Sequence, residues 1–290
     1  GSFSLSSALL EAFCDEFKTE LAAKEGKLDT DPHWWMPLTL QCDDYCGLME
    51  GKGVPVETSK AHHDRMSAFL ARFAPEGAMP SGMGLFGAVD IGEDAFWWDY
   101  GQLRWYMKYN LMLAATDEDA DAVGMRQFFG VCEGRVSPDS WIGDGCTVDG
   151  GSCVSASQVA AGSVSGSVLS NVVSGSVECD GCVVVGVSVK SLKLGKGCVV
   201  YNVVDDSMDL SLKDGEVIVG VVDDDGNQTL IRSASSIDGG QAWKEKVCGN
   251  PASFEELHAQ NAEADIVKIE GLRRTKSGAA NAAIAAASPR

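Results

Sequence analysis

Residues 136–154 read VSPDSWIGDGCTVDGGSCV, and their aliphatic side chains recur every six positions, at Val136, Ile142, Val148 and Val154. The spacing shortens to five and later returns to six in the aliphatic residues that follow, namely Val159, Val164, Leu169, Val177, Val183 and Val189. An amphipathic helix needs apolar residues every three to four positions, and a half-buried strand needs them at every second position. The six-residue period fits neither pattern and indicates a repeating solenoid.

In a hexapeptide repeat, each unit forms a short strand and a corner, and three units close one triangular coil of ~18 residues. The inward aliphatic side chains leave water only when coils stack, which is worth roughly 25 cal/mol per Å² of apolar surface. We therefore predict a left-handed parallel β-helix over residues 135–205, with about three to four coils. Its ends need caps, because terminal coils expose their core.

The composition limits the class of protein and its partners. The chain has 290 residues, of which 45% are hydrophobic, and this length predicts about two domains. The net charge of −19 argues against nucleic acid as a partner, because phosphate binding depends on clustered Lys and Arg. No run of eighteen apolar residues occurs in the sequence, so we predict no membrane span.

The ten cysteines are scattered along the chain and do not form a small disulfide framework. Cys179 and Cys182 form a CDGC pair inside the predicted coils, but Cys146 and Cys153 have the wrong spacing to complete a zinc site. We predict that these small thiols fill the solenoid interior. Free thiols favour a reducing intracellular compartment, such as the cytoplasm or an organelle stroma.

The first part of the chain predicts two amphipathic helices. Ser7 can cap a helix that Gly26 ends, and a second helix covers residues 59–74, with His62 and His63 on a solvated face. Between them, Pro32 and Pro37 bracket a tryptophan-rich segment that we predict to be an aromatic loop. Residues 85–91 alternate as a strand does.

Residues 96–114, FWWDYGQLRWYMKYNLMLA, carry the strongest functional signal. Asp99 follows strand-like aromatic residues, Gly101 permits a tight turn, and a helix begins near Gln102. A carboxylate held between a strand and a helix is well placed to ligate Mg²⁺. Alternatively, Asp99 caps the helix and the tryptophans belong to the core.

The segment FWWDYGQLRWYMKYNL resembles the W-x-D-x-G segment near the end of the catalytic domain of sugar-nucleotide pyrophosphorylases. In these NDP-sugar nucleotidyltransferases a helix follows the motif and leads into a left-handed β-helix, and the resemblance covers about residues 5–204. It implies that residues 1–134 are the C-terminal portion of an α/β nucleotidyltransferase-like domain. It also implies that Asp99 helps to hold the catalytic Mg²⁺ and that Trp97, Trp98, Gly101 and Gln102 form a wall of the substrate site.

These 290 residues contain no G-x-G-T-R loop with its following lysine, which in that family grips the triphosphate. We therefore expect a nucleotidyltransferase-like protein that lacks the NTP-binding half, has no independent catalysis and acts as a structural or assembly subunit with other protein subunits. The alternative is a fragment of an active, Mg²⁺-dependent sugar-1-phosphate nucleotidyltransferase, completed by a missing N-terminal half. An acyltransferase is disfavoured because none of the four histidines, His33, His62, His63 and His258, lies in the coils.

After the coils, residues 216–232 predict a β-hairpin that turns at Asp225 and Gly226 and lies within an end cap at residues 206–250. Residues 251–290 predict a C-terminal helix and tail. Ser253 and Glu256 form a capping box for a short helix, and Ile266, Ile269 and Leu272 suggest another turn or two. We expect the Ala-rich residues 275–290 to be disordered or to dock on a partner.

Overall fold

The computed structural model describes residues 4–288 except 25, 27, 75–86, 88–91, 94, 117, 132–134, 238, 239 and 241. The chain divides into two compact units, Gly1–Asp94 and Ala95–Arg290. Within the described residues, no helix is both long enough and apolar enough to cross a membrane.

The described part of the first unit is helical. Its helices are α1 (Ser7–Glu16), α2 (Lys18–Ala23), α3 (Met36–Thr39), α4 (Cys42–Gly51) and α5 (Val56–Phe73), with a π-helical turn at Asp31–Trp35. Their apolar faces meet in a core formed by Leu9, Phe13, Phe17, Trp34, Met66 and Phe69. The predicted strand at residues 85–91 lies outside the described residues except for Gly87, so the α/β character of this part stays a prediction.

The predicted cap of the first helix and the predicted aromatic loop were wrong in detail. The cap of α1 is Ser6, whose Oγ accepts the Leu9 N–H at 3.2 Å. The predicted aromatic loop is helical, because Pro32 and Pro37 lie at the first positions of their helical segments, where a proline removes no helical hydrogen bond.

His62 and His63 do not lie on a solvated face. Both rings are half-buried and contact backbone carbonyls, His62 Nε2 at 2.6 Å from the His33 oxygen and His63 Nε2 at 3.1 Å from the Leu40 oxygen. The helix carrying the two histidines therefore joins the segments before it through both rings, not only through its apolar residues. The sequence pattern missed this because the partner carbonyls belong to distant residues.

The second unit is built on a parallel β-solenoid of about five turns over residues 141–219. Its strands are β1 (Trp141–Val148), β2 (Cys153–Ser155), β3 (Gln158–Ser165), β4 (Val168–Asp180), β5 (Val183–Leu194), β6 (Val199–Tyr201), β7 (Val204–Leu212) and β8 (Glu216–Val222). All pairs among these eight strands are parallel. The predicted parallel solenoid is thus confirmed at this level, but its predicted end at residue 205 was wrong, because β7 and β8 continue the parallel stack to residue 219.

The middle coils are shorter than predicted. Val168 pairs with Val183 fifteen residues later, whereas the first bridge joins Val136 to Val154, eighteen residues later. Buried interior positions recur every five residues between residues 154 and 194, at Val154, Val159, Val164, Leu169, Ser174, Cys179, Val184, Val189 and Leu194. A given stretch of sequence therefore forms more coils than predicted, because each side of the triangular coil uses five residues here and not six.

Val183 does not point into the solenoid as the six-residue period predicted. The interior residue is Val184, and Val183 packs outward in a separate apolar cluster with Val199 and Val217. Residues 182–185 read CVVV, so the alternation that distinguishes the two sides of a strand is invisible there.

Buried serines at the corners hold successive coils together. Ser167 Oγ donates to the Ser165 carbonyl at 2.6 Å and accepts the Cys182 N–H of the next coil at 2.9 Å. Ser157 Oγ makes the equivalent pair of bonds, to the Ser155 carbonyl and from the Val172 N–H. These hydroxyls satisfy corner amides that the strand ladders leave without partners.

Helices cover two outer sides of the solenoid. Helix α6 (Leu103–Leu111) packs on Val183, Val199 and Val217, and α7 (Ala120–Phe128) follows it. Helix α9 (Ile266–Ala287) lies against β4, β5 and β7, where Ser188 Oγ donates to Asn281 Oδ1 at 2.6 Å. The expected disordered or partner-docked tail is therefore wrong up to Ala287, because alanine has the highest helix propensity and the helix finds its apolar contacts on the chain's own solenoid.

The predicted hairpin is confirmed. Strand β8 pairs antiparallel with β9 (Gln228–Ala234), and the Asp223 carboxylate accepts the Asp225 and Asn227 N–H groups in the turn. Asn250 then clamps β9 by bonding both the N–H and the carbonyl of Arg232, at 2.9 and 2.7 Å. The capping box of Ser253 and Glu256 is present at α8 (Phe254–Gln260).

Candidate functional site

The segment before α6 places its two tryptophans in different surroundings. Trp98 stacks on Phe96 with ring centroids 5.3 Å apart and meets Phe128 edge-on at 5.9 Å. Phe96 lies so close to Gly124 of α7 that a Cβ on this glycine would come within 2.5 Å of the ring. Trp97 is 64% exposed. The two tryptophans of the predicted substrate wall therefore lie in different surroundings, one packed on aromatic rings and one exposed.

Asp99 is exposed, and its Oδ1 accepts the Gly101 N–H at 2.7 Å. This bond forms an Asx turn just before α6. Asp99 does not cap the helix, as the alternative interpretation expected, because the N-cap residue is Gln102 and no side chain caps it. Gln102 completes the entry: its backbone is extended, and its carbonyl accepts the Trp105 and Tyr106 N–H groups at 3.0 and 2.8 Å. Gly101 and Gln102 thus act through their backbones.

Asp99 is the carboxylate that this turn presents. The described residues contain no group of three or more His, Cys, Asp or Glu side chains that could hold a metal ion. A Mg²⁺ ion takes several oxygen ligands, and one carboxylate does not provide them. The donor set in the described part of the chain therefore does not fit a complete magnesium centre.

Helix α6 carries a cationic aromatic surface that the sequence reasoning missed. Trp105 and Tyr109 stack with centroids 5.9 Å apart, the Arg104 guanidinium lies 5.1 Å from the Trp105 ring, and Lys108 Nζ lies 5.3 Å from it. The available signal was the i, i+3, i+4 spacing of Trp105, Lys108 and Tyr109, with Arg104 at i, i+4 from Lys108. Burial raises the pKa of the neighbouring Tyr106 to about 12, so this hydroxyl stays neutral.

A groove of about 740 Å³, here called the α9 groove, runs between α9 and the outer side of the solenoid. Small side chains such as Ala160, Ala283 and Ala287 line it, together with an ion pair between Lys190 Nζ and Asp209 Oδ2 at 2.8 Å. Hydrogen bonds from Lys190 and Ser191 hold the pKa of Asp209 below its ordinary value, so this carboxylate stays charged.

The remaining side of the solenoid carries one column of exposed polar residues across successive coils. The column consists of Thr147, Ser163, Glu178, Lys193 and Ser211, which are register neighbours, and we call it the open face. Lys193 Nζ lies 3.7 Å from Glu178 Oε2 within it. Strand spacing fixes the distance between such side chains at about 4.7–4.9 Å per coil, so this surface is flat and regular.

The cysteines of the coils are structural. Cys179, Cys182 and Cys198 are buried and free, as predicted for thiols that fill the interior. The prediction was wrong for Cys153, which packs in a separate cluster with Ala114 and Val168. Cys182 Sγ donates to the Gly195 carbonyl at 3.2 Å, and Cys198 Sγ donates to the Lys213 carbonyl at 2.9 Å. Burial raises the pKa of Cys179 to about 12, which keeps it a thiol.

The histidines considered for acyl transfer lie elsewhere. His33, His62 and His63 belong to the first unit, and the fourth, His258, lies in α8 with its ring 5.8 Å from Trp243.

Comparisons of the chain with models of protein families, with curated proteins and with solved structures found no match.

Proposed function

We propose that this chain is the β-helix-bearing part of a protein related to sugar-nucleotide pyrophosphorylases, and that this part serves assembly with other protein subunits and not catalysis. The solenoid is left-handed in this proposal, as in that family. The order of elements supports the kinship: the W-x-D-x-G segment at Trp97, Asp99 and Gly101, then α6, then the solenoid.

The site geometry supports the absence of independent catalysis. Nucleotidyl transfer depends on neutralising phosphate charge and positioning the reacting groups. Asp99 is a single exposed carboxylate, one oxygen of which already bonds Gly101 N–H, and these 290 residues contain no G-x-G-T-R loop. One carboxylate without a phosphate-gripping loop does not assemble that site.

The open face is the observation that carries the assembly role. Helices α6 and α9 cover other outer sides of the solenoid, while all five residues of the open face are exposed. A flat, rigid surface that presents hydroxyls and both signs of charge suits a protein partner with complementary charges. Ordering such a surface costs little on binding because the β-ladders already hold it.

Assembly is tested by expressing these 290 residues with an affinity tag in the native source and measuring the mass of the particle that contains them. We expect a complex heavier than the 30.6 kDa chain, and a reduction of complex formation by at least tenfold in Thr147→Arg. Thr229→Arg is the matched control, because Thr229 is also an exposed strand threonine but lies in β9, away from the open face. A lone 30.6 kDa monomer, or equal effects of the two variants, would contradict the assembly role.

The second candidate is an active fragment, favoured by the exposure of Asp99 at the family-like position. It is tested by combining the chain with a candidate N-terminal half, supplying Mg²⁺, nucleoside triphosphates and sugar 1-phosphates, and measuring pyrophosphate. Turnover that disappears in Asp99→Asn and persists in Asp144→Asn, another exposed aspartate, would replace the assembly proposal by this one. We expect no turnover.

A further inference from the structure

The first unit contains an apolar pocket of about 140 Å³ between α1, the start of α2 and the segment before the π-helical turn. Its walls include Leu5, Leu10, Phe13, Leu21, Leu28 and Trp34. Among the described residues that line it, Thr30 has the only side-chain oxygen. Water in such a pocket finds few hydrogen-bonding partners on the walls, so an apolar occupant that displaces it breaks few hydrogen bonds to the protein.

The pocket has a preformed floor. The Phe13 ring lies 4.9 Å from Phe69, nearly parallel to it, and 4.5 Å from Trp34, edge-on. Behind the pocket, the Arg65 guanidinium lies 4.9 Å from the Phe17 ring, and Arg65 Nε donates to Glu16 at 2.7 Å. These aromatic side chains are held from the far side, so they cannot move into the space without losing those contacts.

The size of the pocket decides between kinds of occupant. A helix of another protein has a diameter of about 10–12 Å with its side chains, which is too large for this space. A cavity of about 150 Å³ lined by Leu, Ile and Phe is known to take benzene. The volume of about 140 Å³ is therefore that of a site for one ring.

We propose that this pocket binds a small, uncharged, apolar molecule of the size of one aromatic ring. The mouth lies beside two exposed residues of α1, Leu10 and Cys14. A bound ring buries its apolar surface against Phe13 and Trp34 and leaves its edge near the Cys14 thiol. This site is separate from the residues that carry the assembly role.

Toluene is the probe, titrated into the full chain by calorimetry or ligand-observed NMR. Leu10→Glu places a carboxylate at the mouth, and Leu48→Glu is its matched control. The two leucines are 52% and 49% exposed, lie on helices of the same unit, and differ in that Leu10 lines the pocket. We expect saturable one-to-one binding that weakens at least tenfold in Leu10→Glu and changes less than twofold in Leu48→Glu.

A second measurement uses the unsubstituted chain. Saturating toluene is expected to slow alkylation of Cys14 by iodoacetamide at least threefold and to leave Cys248 unchanged, since both thiols are exposed and only Cys14 lines the pocket. Absence of saturable binding, equal weakening in the two glutamate variants, or equal protection of the two thiols would overturn the proposal.

Discussion

Gly162 lies where two neighbouring coils of the solenoid approach each other closely. Its φ is +111°, and a Cβ built on it would lie 2.1 Å from the Val177 carbonyl oxygen. A side chain here meets a backbone atom that cannot rotate away, and the residue also needs a conformation that L-residues rarely adopt.

Gly162→Ala is expected to lower the free energy of unfolding by about 3 kcal/mol, through backbone strain and the clash with Val177. Urea unfolding followed by the β-sheet circular dichroism signal measures this loss. Gly150→Ala, with no atom within 4 Å of the added Cβ, should change stability by less than about 0.5 kcal/mol. Equal effects would mean that the coils can separate locally at little cost.

His62 makes the first unit sensitive to acid. Burial lowers the pKa of His62, and Arg65 and His33 add to this effect, while the His33 carbonyl and Glu20 oppose it. The unfolded state takes up the proton near pH 6.5, before the folded state does. The stability contributed by neutral His62 is therefore complete above about pH 6.5 and is lost as the pH falls below it.

His62→Gln should flatten this pH dependence, because the glutamine amide can still donate to the His33 carbonyl but cannot titrate. The measurement is the opening free energy of α5 from hydrogen exchange between pH 7.5 and 5.5, corrected for intrinsic rates. Ser67→Gln, an exposed position on the same helix without a titrating group, is the control for the substitution itself and should keep the wild-type slope. The interpretation fails if His62→Gln keeps that slope too.

Helix α9 depends on the solenoid for its position. Ala280 and Ile284 are buried, whereas Ile266 at the start of the same helix is 80% exposed. Alanine-rich sequence makes the helix locally favourable, but an isolated helix is marginal in water, so packing decides whether it forms.

Ile284→Ala is expected to weaken the docking of α9 by roughly 2–4 kcal/mol, since it removes a buried side chain and leaves a cavity. Ile266→Ala should cost less than about 0.5 kcal/mol. Hydrogen exchange within α9 reads out both variants in the full chain. Equal protection in the two would show that the helix is stable without this contact.

The apolar cores of the two units come from separate parts of the sequence. The main interior cluster of the solenoid draws on residues within 142–230 alone, and the helical core of the first unit draws on residues within 5–73. Each unit therefore has its own apolar core, which is the physical requirement for independent folding.

The segment 95–290 by itself is expected to give a β-rich circular dichroism spectrum and a cooperative thermal transition within about 5 °C of the corresponding transition in the full chain. Its stability should come from stacking of neighbouring coils, which the first unit's core does not supply. An unfolded or molten segment would show that the solenoid needs residues 1–94.

Features that depend on residues close together in the chain could be predicted from local sequence patterns. The period at Val136, Ile142, Val148 and Val154 predicted a parallel solenoid, and the turn at Asp225 and Gly226 predicted the hairpin, because both depend on neighbours in the chain. The sequence could not predict whether Val183 or Val184 faces the solenoid interior, since three consecutive valines hide the alternation of a strand. The cationic aromatic surface of α6 was readable from spacing but was overlooked.

The sequence by itself determined the repeat, because inward aliphatic residues at a short fixed period can leave water only by stacking coils. Only the tertiary structure decided which outer sides α6 and α9 cover, that the alanine-rich segment is a docked helix, and that Phe13, Leu28 and Trp34 enclose a pocket. These features join residues far apart in the chain. Their contacts depend on how the elements pack, which no local period encodes.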